Sequence, residues 1–182
     1  MKLVSSRSLI SEMRVVLCDP AVAGPDPVYQ VFTDLGDHFW INKTVISAGR
    51  LGKEFPKTFG HYHGVNVNEK YYVAQGSGVL VLHKKSADKV FLIKAGVGDE
   101  VIITPEYGHS WSNVGNSELV LFDNWSTPHS PADYEQIEKL HGMAYYIIEE
   151  DGVLKTIPNS NYKDLPGPIW LTAEEYRVKS SK

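Results

Sequence analysis

A single cysteine, Cys18, occurs among the 182 residues, and this scarcity excludes several kinds of site. One thiol cannot form an intramolecular disulfide, a cysteine zinc cluster or a CxxC redox pair. Secreted proteins that depend on disulfides carry several cysteines, so we expect an intracellular, cytoplasmic location for this chain.

The sequence also lacks an excess of positive charge and a long apolar run. It has 18 Lys and Arg against 22 Asp and Glu, so its formal net charge is −4 and its isoelectric point is near 6.0. Such a balance offers no general basic surface for nucleic acid or an anionic membrane. No apolar stretch approaches the roughly 20 residues that cross a bilayer. We therefore expect neither nucleic acid nor a membrane as a partner.

What the sequence does contain is a β-rich centre between two less regular ends. With 42% hydrophobic and 22% charged residues, the chain is long enough for one good core, and we expect a single domain over 1–182. Residues 1–27 predict an N-terminal arm, 28–157 an all-β barrel core, and 158–182 a C-terminal extension. The predicted strands cover Val28–Thr33, Phe39–Ser47, Lys70–Gln75, Gly78–His83, Val90–Ile93, Glu100–Thr104, Leu119–Trp125, Tyr145–Glu149 and Val153–Ile157.

Short peripheral helices complete this prediction. Ser130 and Pro131 form a typical helix start, which predicts a helix over Asp133–Leu140. A second short helix is expected around Ser6–Met13 in the arm. Thr172–Glu175 resembles a capping box, but too few residues follow it to predict a third helix.

The residues that carry chemistry are two neighbouring histidines, a glutamate and a distant histidine. Side chains alternate along a strand, so His61 and His63 share a face. On a continuous strand Glu69 would lie roughly 20 Å away, so the chain must double back, and Gly64–Asn68 supplies turn-forming residues. His109 must come from a third, more distant strand.

Three imidazoles and one carboxylate suit a borderline divalent ion such as iron, nickel, manganese, cobalt or zinc. The absence of a thiolate cluster argues against a structural zinc site, and open coordination positions would remain for a substrate. Any single histidine is more often an ordinary polar residue at a strand end. Four candidates with compatible spacing favour a metal site.

These spacings resemble the two motifs of the cupin superfamily. The first motif is HxH, five residues, Glu, six residues and Gly; the second combines Gly-Asp, Pro, Gly-His and Asn. The resemblance implies a cupin jelly-roll barrel with the metal inside it. The matching residues are His61, His63, Glu69, Gly76, Gly98, Asp99, Pro105, Gly108, His109 and Asn113.

A narrower resemblance covers Thr44–His63, which is similar to the cupin-type phosphoglucose isomerases of archaea and some bacteria. The shared pattern is a threonine, Gly, Lys-Glu-Phe, a second threonine and GHxH. The resemblance implies reversible interconversion of glucose 6-phosphate and fructose 6-phosphate in glycolysis and gluconeogenesis, by a homodimer. It also implies one divalent metal ion per chain, commonly Fe2+, held by His61, His63, Glu69 and His109.

The resemblance assigns substrate phosphate to Thr44, Thr58 and the backbone around Gly60, because the sequence has no GxxxxGK[ST] phosphate loop. Lys57 is the preferred auxiliary cation, and Tyr134 matches a family tyrosine near the substrate. An ordinary strand or loop role remains the alternative for both threonines and for the lysine.

Two catalytic roles stay open. Glu69 is the best candidate for the base of a proton transfer, and its alternative is to remain a metal ligand. Tyr71 shares the face of Glu69 and either contacts substrate hydroxyls, relays a proton or simply fills the core. Both an enediol and a hydride-shift route are compatible with these residues.

The chain departs from the family at Trp125, where the family carries a tyrosine, and His129 lies near a position where the family has a histidine. Two other functions therefore remain as alternatives. One is an iron-dependent cupin dioxygenase, and the other is a sugar-phosphate-binding cupin without turnover.

Overall fold

The computed structural model describes residues 1–4, 7–86 and 88–180, and twelve strands form three sheets within them. The strands are β1 Lys2–Leu3, β2 Tyr29–Thr33, β3 Asn42–Ile46, β4 Glu69–Gln75, β5 Ser77–Lys84, β6 Val90–Gly96, β7 Glu100–Ile103, β8 Tyr107–Asn113, β9 Leu119–Asp123, β10 Tyr145–Glu150, β11 Val153–Pro158 and β12 Ile169–Thr172.

Two larger sheets form the jelly roll. The first has the order β1-β2-β3-β9-β4-β7 and the second the order β12-β6-β5-β8. β10 and β11 form a separate antiparallel hairpin. Neighbouring strands are antiparallel throughout, except that β12 pairs parallel to β6. The prediction of an all-β jelly roll is confirmed.

The core lies between the two larger sheets. Trp111 on β8 is 1% exposed and meets Tyr71 on β4 edge to face, with ring centroids 5.7 Å apart. Leu80, Leu121 and Ile103 are also fully buried in this cluster. Each large apolar side chain removed from water contributes roughly 1.5–3 kcal/mol to folding, so this layer fixes the distance between the sheets.

Three short α-helices lie outside the sheets: α1 Ile10–Met13, α2 Pro131–Lys139 and α3 Ala173–Ser180. α2 confirms the helix predicted after Ser130, and it begins two residues earlier than expected. Of the helix expected around Ser6–Met13, only the last turn forms, and Ser6 lies outside the described residues. No helix among residues 1–4, 7–86 and 88–180 is long and apolar enough to span a bilayer.

The C-terminal capping box does start a helix, which the sequence argument did not predict. The backbone N–H of Thr172 donates to Glu175 Oε2 at 2.7 Å, and the N–H of Glu175 donates to Thr172 Oγ1 at 3.2 Å. Tyr176 anchors α3 because its ring is buried against Phe91, with centroids 5.6 Å apart. Tertiary packing therefore compensates for the small number of residues after the cap.

The segment that carries His61 and His63 is extended but is not a strand, so that expectation was wrong. His61 exchanges two backbone hydrogen bonds with His109 on β8, at 3.1 and 2.9 Å. At the next residue the ladder stops, because the N–H of Tyr62 donates to the carbonyl of Asp133 in α2 at 2.9 Å. The alternation of side chains between the two faces still holds over His61, Tyr62 and His63, and the Tyr62 ring packs against Gly108.

Gly108→Ala tests this close approach. A Cβ at Gly108 would lie 2.6 Å from two ring atoms of the buried Tyr62 side chain, so the ring or β8 must move. We expect the free energy of unfolding to fall by about 1–3 kcal/mol, as overpacking generally costs. Urea denaturation measures the change.

Gly96→Ala is the matched control, because an added Cβ there meets nothing within 4 Å. Its change should stay within about 0.5 kcal/mol. Equal losses in the two variants would contradict the proposed contact.

Candidate metal and substrate site

Four side chains from three separate segments meet at one end of the barrel. His61 and His63 come from the extended segment, Glu69 is the first residue of β4, and His109 lies on β8. Their ligand atoms all lie within 4.8 Å of one another. The structure thus brings together the four residues that the motifs predicted as ligands.

Glu69 is the centre of this cluster. Its Oε2 lies 3.0 Å from His63 Nε2 and 3.1 Å from His109 Nε2. The side chains of these three residues are at most 2% exposed, whereas His61 is partly accessible. A buried carboxylate is stable only when it is paired, and here two imidazoles surround one of its oxygens.

The donor atoms fit a divalent ion. His61 Nε2 is buried and makes no hydrogen bond within residues 1–4, 7–86 and 88–180. Buried polar atoms are nearly always paired, so an unpaired ring nitrogen in a cluster with a carboxylate indicates a missing partner. Nitrogen and oxygen donors without a thiolate match the borderline ions expected from the sequence.

The protonation states also suit metal ligands. Burial lowers the pKa of His61, and the neighbouring charges of His109, His129 and His63 lower it further. Burial also lowers the pKa of His109, against the opposing effect of Glu69. For Glu69 burial raises the pKa, but the charges and hydrogen bonds of His109 and His63 outweigh it and lower the pKa to about 2. Neutral imidazoles and an ionised carboxylate are the forms that bind metal.

A cavity of about 550 Å3 opens from the cluster. This volume lies within the range of small-molecule sites. Seven other residues that the sequence analysis singled out also line it: Thr44, Thr58, Gly60, Tyr71, Trp125, His129 and Tyr134. The metal cluster and the predicted phosphate contacts therefore share one cavity.

The extended segment presents Thr58 and Gly60 on the wall of this cavity. Thr58 Oγ1 accepts a hydrogen bond from the N–H of Trp111 at 3.1 Å, and Ser110 Oγ donates to the carbonyl of Thr58 at 2.8 Å. Gly60 has φ of 88°, in the left-handed region, and a Cβ there would lie 3.3 Å from the carbonyl oxygen of His109. Glycine therefore allows the segment to pass close to β8.

Lys57 is not brought to the cavity, contrary to its predicted role as an auxiliary phosphate contact. Lys57 is buried, with only 5% of the residue exposed. Its ammonium pairs with Glu54 and donates to the carbonyl of Val16 at 2.7 Å. It also lies 4.8 Å from the ring centroid of Tyr146. The contact with Val16 links the N-terminal arm to the extended segment.

Asp123 is a cavity residue that the sequence reasoning missed. It lies opposite Tyr71 in the pairing of β4 with β9, and its Oδ1 accepts hydrogen bonds from Asn42 Nδ2 at 2.7 Å and the N–H of Trp125 at 3.0 Å. Burial and the charge of Glu69 raise the pKa of Asp123 to about 7. Only the strand register places it here, and no motif includes it.

Trp125 and His129 both reach the cluster. The Trp125 ring lies 3.8 Å from the His63 ring, measured between centroids, and it stacks on His129 at 5.9 Å. His129 in turn lies 4.1 Å from the His61 ring. Trp125 thus places an indole directly beside the candidate ligands.

Comparison with known proteins assigns the chain to a family. The family model described as "Glucose-6-phosphate isomerase (GPI)" matches residues 32–164, which is more than half of the chain. The chain belongs to the glucose-6-phosphate isomerase family. This result confirms the resemblance that the motifs indicated.

Members of the glucose-6-phosphate isomerase family share about a third of the matched residues. The enzyme of that name from Thermococcus kodakarensis is 31% identical over 122 residues, which cover 66% of this chain and 63% of that protein. The one from Pyrococcus furiosus is 30% identical over 121 residues, which cover 66% and 62%. The chain therefore spans less than two thirds of the length of these relatives. Among solved structures, the Drosophila melanogaster CENP-C cupin domain covers 68% of this chain and 84% of its own, with 16% identity and a TM-score of 0.42.

Metal binding should stabilise this family member. After treatment with a chelator, addition of Fe2+ or Co2+ should raise the midpoint of thermal unfolding by roughly 5 °C, because the ion binds only the folded chain. Elemental analysis should find one ion per chain. His63→Ala should lose both effects, while His38→Ala, at an exposed position outside the cluster, should keep them. An equal rise in His63→Ala would contradict the ligand assignment.

Asp123→Asn should stabilise the metal-free protein more at pH 8 than at pH 5. The raised pKa means that the folded state prefers the protonated carboxyl. The wild type therefore loses stability as the pH rises from the ordinary pKa of an aspartate toward 7. The amide keeps the Oδ1 acceptor but carries no charge. The difference between the two pH values should be on the order of 2 kcal/mol.

Urea denaturation at both pH values measures this difference. Asp34→Asn, at an exposed position, is the control and should change little at either pH. A gain for Asp123→Asn that is the same at pH 5 and pH 8 would contradict the raised pKa.

Proposed function

We propose that this protein is a metal-dependent aldose-ketose isomerase that interconverts glucose 6-phosphate and fructose 6-phosphate. The observation that supports it most strongly is the single cavity that joins the His61, His63, Glu69 and His109 cluster to Thr44, Thr58 and Gly60. A family member with this arrangement can hold a sugar at the cluster and its phosphate at the threonines.

The phosphate end provides neutral donors. The Thr44 hydroxyl lines the cavity from β3, and Thr58 and the Gly60 backbone line it from the extended segment. Thr58 Oγ1 also lies 3.3 Å from Ser110 Oγ, which donates its own proton to the Thr58 carbonyl, so the Thr58 hydroxyl would exchange this long contact for a phosphate oxygen. Hydroxyl and amide donors bind phosphate oxygens without a P-loop.

At the metal cluster, a divalent ion on the four ligands, Fe2+ by the family resemblance, would supply Lewis-acid polarisation of the sugar oxygens. Tyr71 can then act only as a hydrogen-bond donor, because burial and the charges of Glu69 and Asp123 raise its pKa well above the ordinary value. A donor at this position orients a substrate hydroxyl next to C1 and C2.

Glu69 fits a ligand better than a base. A carboxylate whose pKa is lowered to about 2 has little tendency to take a proton near neutral pH. The two imidazoles that hold its Oε2 also keep the carboxylate in place. We therefore assign Glu69 primarily to the metal, while Tyr71, Thr58 and Tyr134 contact the substrate.

Binding of a sugar phosphate without turnover is a second candidate, and Trp125 is the observation that favours it. Its indole lies against His63 and cannot provide an ionisable hydroxyl there. An assay that follows both binding and conversion of fructose 6-phosphate separates the two candidates, since both bind the substrate and only one converts it.

We also propose that the protein works as a cytoplasmic homodimer in glycolysis and gluconeogenesis. The family and the absence of a general basic surface support this setting. β1 supports pairing of chains, because this edge strand of the first sheet is exposed on both of its residues.

Metal-loaded protein should convert fructose 6-phosphate to glucose 6-phosphate, detected by coupling to a glucose 6-phosphate dehydrogenase. Removal of the metal with a chelator should abolish the activity, and Glu69→Gln should lower kcat by more than about 100-fold, because loss of a ligand removes the ion. The rate should be the same with and without oxygen.

Three outcomes decide between the candidates. Binding of fructose 6-phosphate without conversion would support the non-catalytic candidate. Conversion that requires oxygen would indicate a dioxygenase-like reaction. Full activity in the chelated protein would contradict the role of the metal.

A further inference from the structure

The cavity wall contains one cationic side chain, and it comes from the N-terminal arm. Among residues 1–4, 7–86 and 88–180, Arg7 is the only Lys or Arg that lines the cavity. Two acidic side chains, Glu69 and Asp123, also line it. A phosphate dianion in this cavity is therefore attracted by Arg7.

Arg7 is held over the aromatic residues beside the predicted phosphate contacts. Its Cζ lies 4.5 Å from the ring centroid of Tyr134 and 5.5 Å from that of Phe59. Phe59 stands between Thr58 and Gly60 in the chain, so the guanidinium lies beside the segment that presents both donors. Stacking on two rings keeps the group in place and does not use its N–H donors.

One edge of the guanidinium is already paired, and the other is not. Nε lies 3.2 Å from Glu138 Oε1, while Nη1 and Nη2 of Arg7 make no hydrogen bond within the described residues. Glu138 is 43% exposed, so water screens its charge and it neutralises Arg7 only in part. The Arg7 side chain is 29% exposed, which leaves room for a ligand.

We propose that Arg7 binds the phosphate group of the substrate through Nη1 and Nη2, together with Thr58 and the Gly60 backbone. This inference rests on the proposed function, and it adds the charge that the hydroxyl and amide donors lack. Arginine forms paired hydrogen bonds with phosphate, and such charged bonds are stronger than neutral ones. The N-terminal arm is then part of the substrate site.

The backbone at Arg7 agrees with a constrained position. Its φ is 61°, a left-handed conformation that costs a non-glycine residue energy and persists only where surrounding contacts require it. The stacking and the Glu138 pair are those contacts.

Arg7→Met tests the assignment against Arg50→Met as a matched control. Arg50 also stacks on an aromatic ring, with Cζ 4.0 Å from the Phe55 centroid, and also pairs with a glutamate, Glu149. It does not line the cavity. Both substitutions therefore remove a stacked, paired arginine, and only one removes charge from the site.

Arg7→Met should raise KM for fructose 6-phosphate and the inhibition constant of inorganic phosphate by about 10- to 100-fold, the loss expected for a hydrogen bond to a charged group. Its kcat should change less than about 3-fold. Arg7→Lys should recover part of the loss, because it keeps the charge but not the paired geometry. Arg50→Met should behave as the wild type.

Calorimetry separates this inference from the proposed function. The wild type should bind fructose 6-phosphate more tightly than unphosphorylated fructose, and Arg7→Met should reduce that preference by about 10- to 100-fold. If this holds without any isomerase activity, the isomerase proposal fails and the Arg7 assignment stands. If the wild type isomerises fructose 6-phosphate and Arg7→Met has an unchanged KM, the Arg7 assignment is overturned alone.

A purely structural role predicts a different result. It would weaken fructose and fructose 6-phosphate binding alike, lower the unfolding midpoint and leave Arg7→Lys no better than Arg7→Met. That pattern, or an equal loss in Arg50→Met, would also overturn the assignment.

Discussion

The reciprocal backbone hydrogen bonds between His61 and His109 are the constraint on which the site depends. They fix the extended segment against β8 at the residue where two candidate ligands meet. Gly108 and Gly60 allow this approach, since a Cβ at either position would crowd Tyr62 or the backbone of β8. Main-chain geometry thus sets the ligand positions before any metal binds, which limits the reorganisation that binding requires.

The same segment connects the candidate ligands to the proposed phosphate contacts. It lines the cavity with Thr58, Gly60 and His61 and carries His63 two residues further on, so a few residues of chain set the distance between phosphate and metal. Arg7 approaches from the arm and adds charge at the phosphate end. In the proposed function, this local positive charge is how a protein with net charge −4 would attract a phosphorylated sugar.

The sequence was sufficient for residues whose roles depend on local spacing. HxH, Glu69 and the second histidine predicted the cluster, and Ser130 with Pro131 predicted α2. It was insufficient where distant contacts decide. β8 contains Ser110 and Asn113 and therefore does not resemble a buried strand, yet these residues are buried because they hydrogen-bond to Thr58 and to backbone carbonyls of other segments.

Arg7, Asp123 and Lys57 show the same limit for function. Arg7 and Asp123 reach the cavity through packing of the arm and through the register of β4 with β9, neither of which leaves a motif. Lys57 has a suggestive position in the sequence but pairs with Glu54 in the interior. Only the folded chain defines which side of the extended segment faces the cavity. That orientation decides whether a residue such as Lys57 reaches the cavity.

The central claim is that one cavity holds a metal ion and a sugar phosphate at opposite ends. Anomalous diffraction from crystals soaked with Co2+ and fructose 6-phosphate tests it most directly. The account predicts one metal peak about 2.0–2.2 Å from donor atoms of His61, His63, Glu69 and His109, and phosphate density beside Thr58 and Arg7. A metal peak elsewhere, or phosphate on the metal with no density beside Thr58, would contradict it.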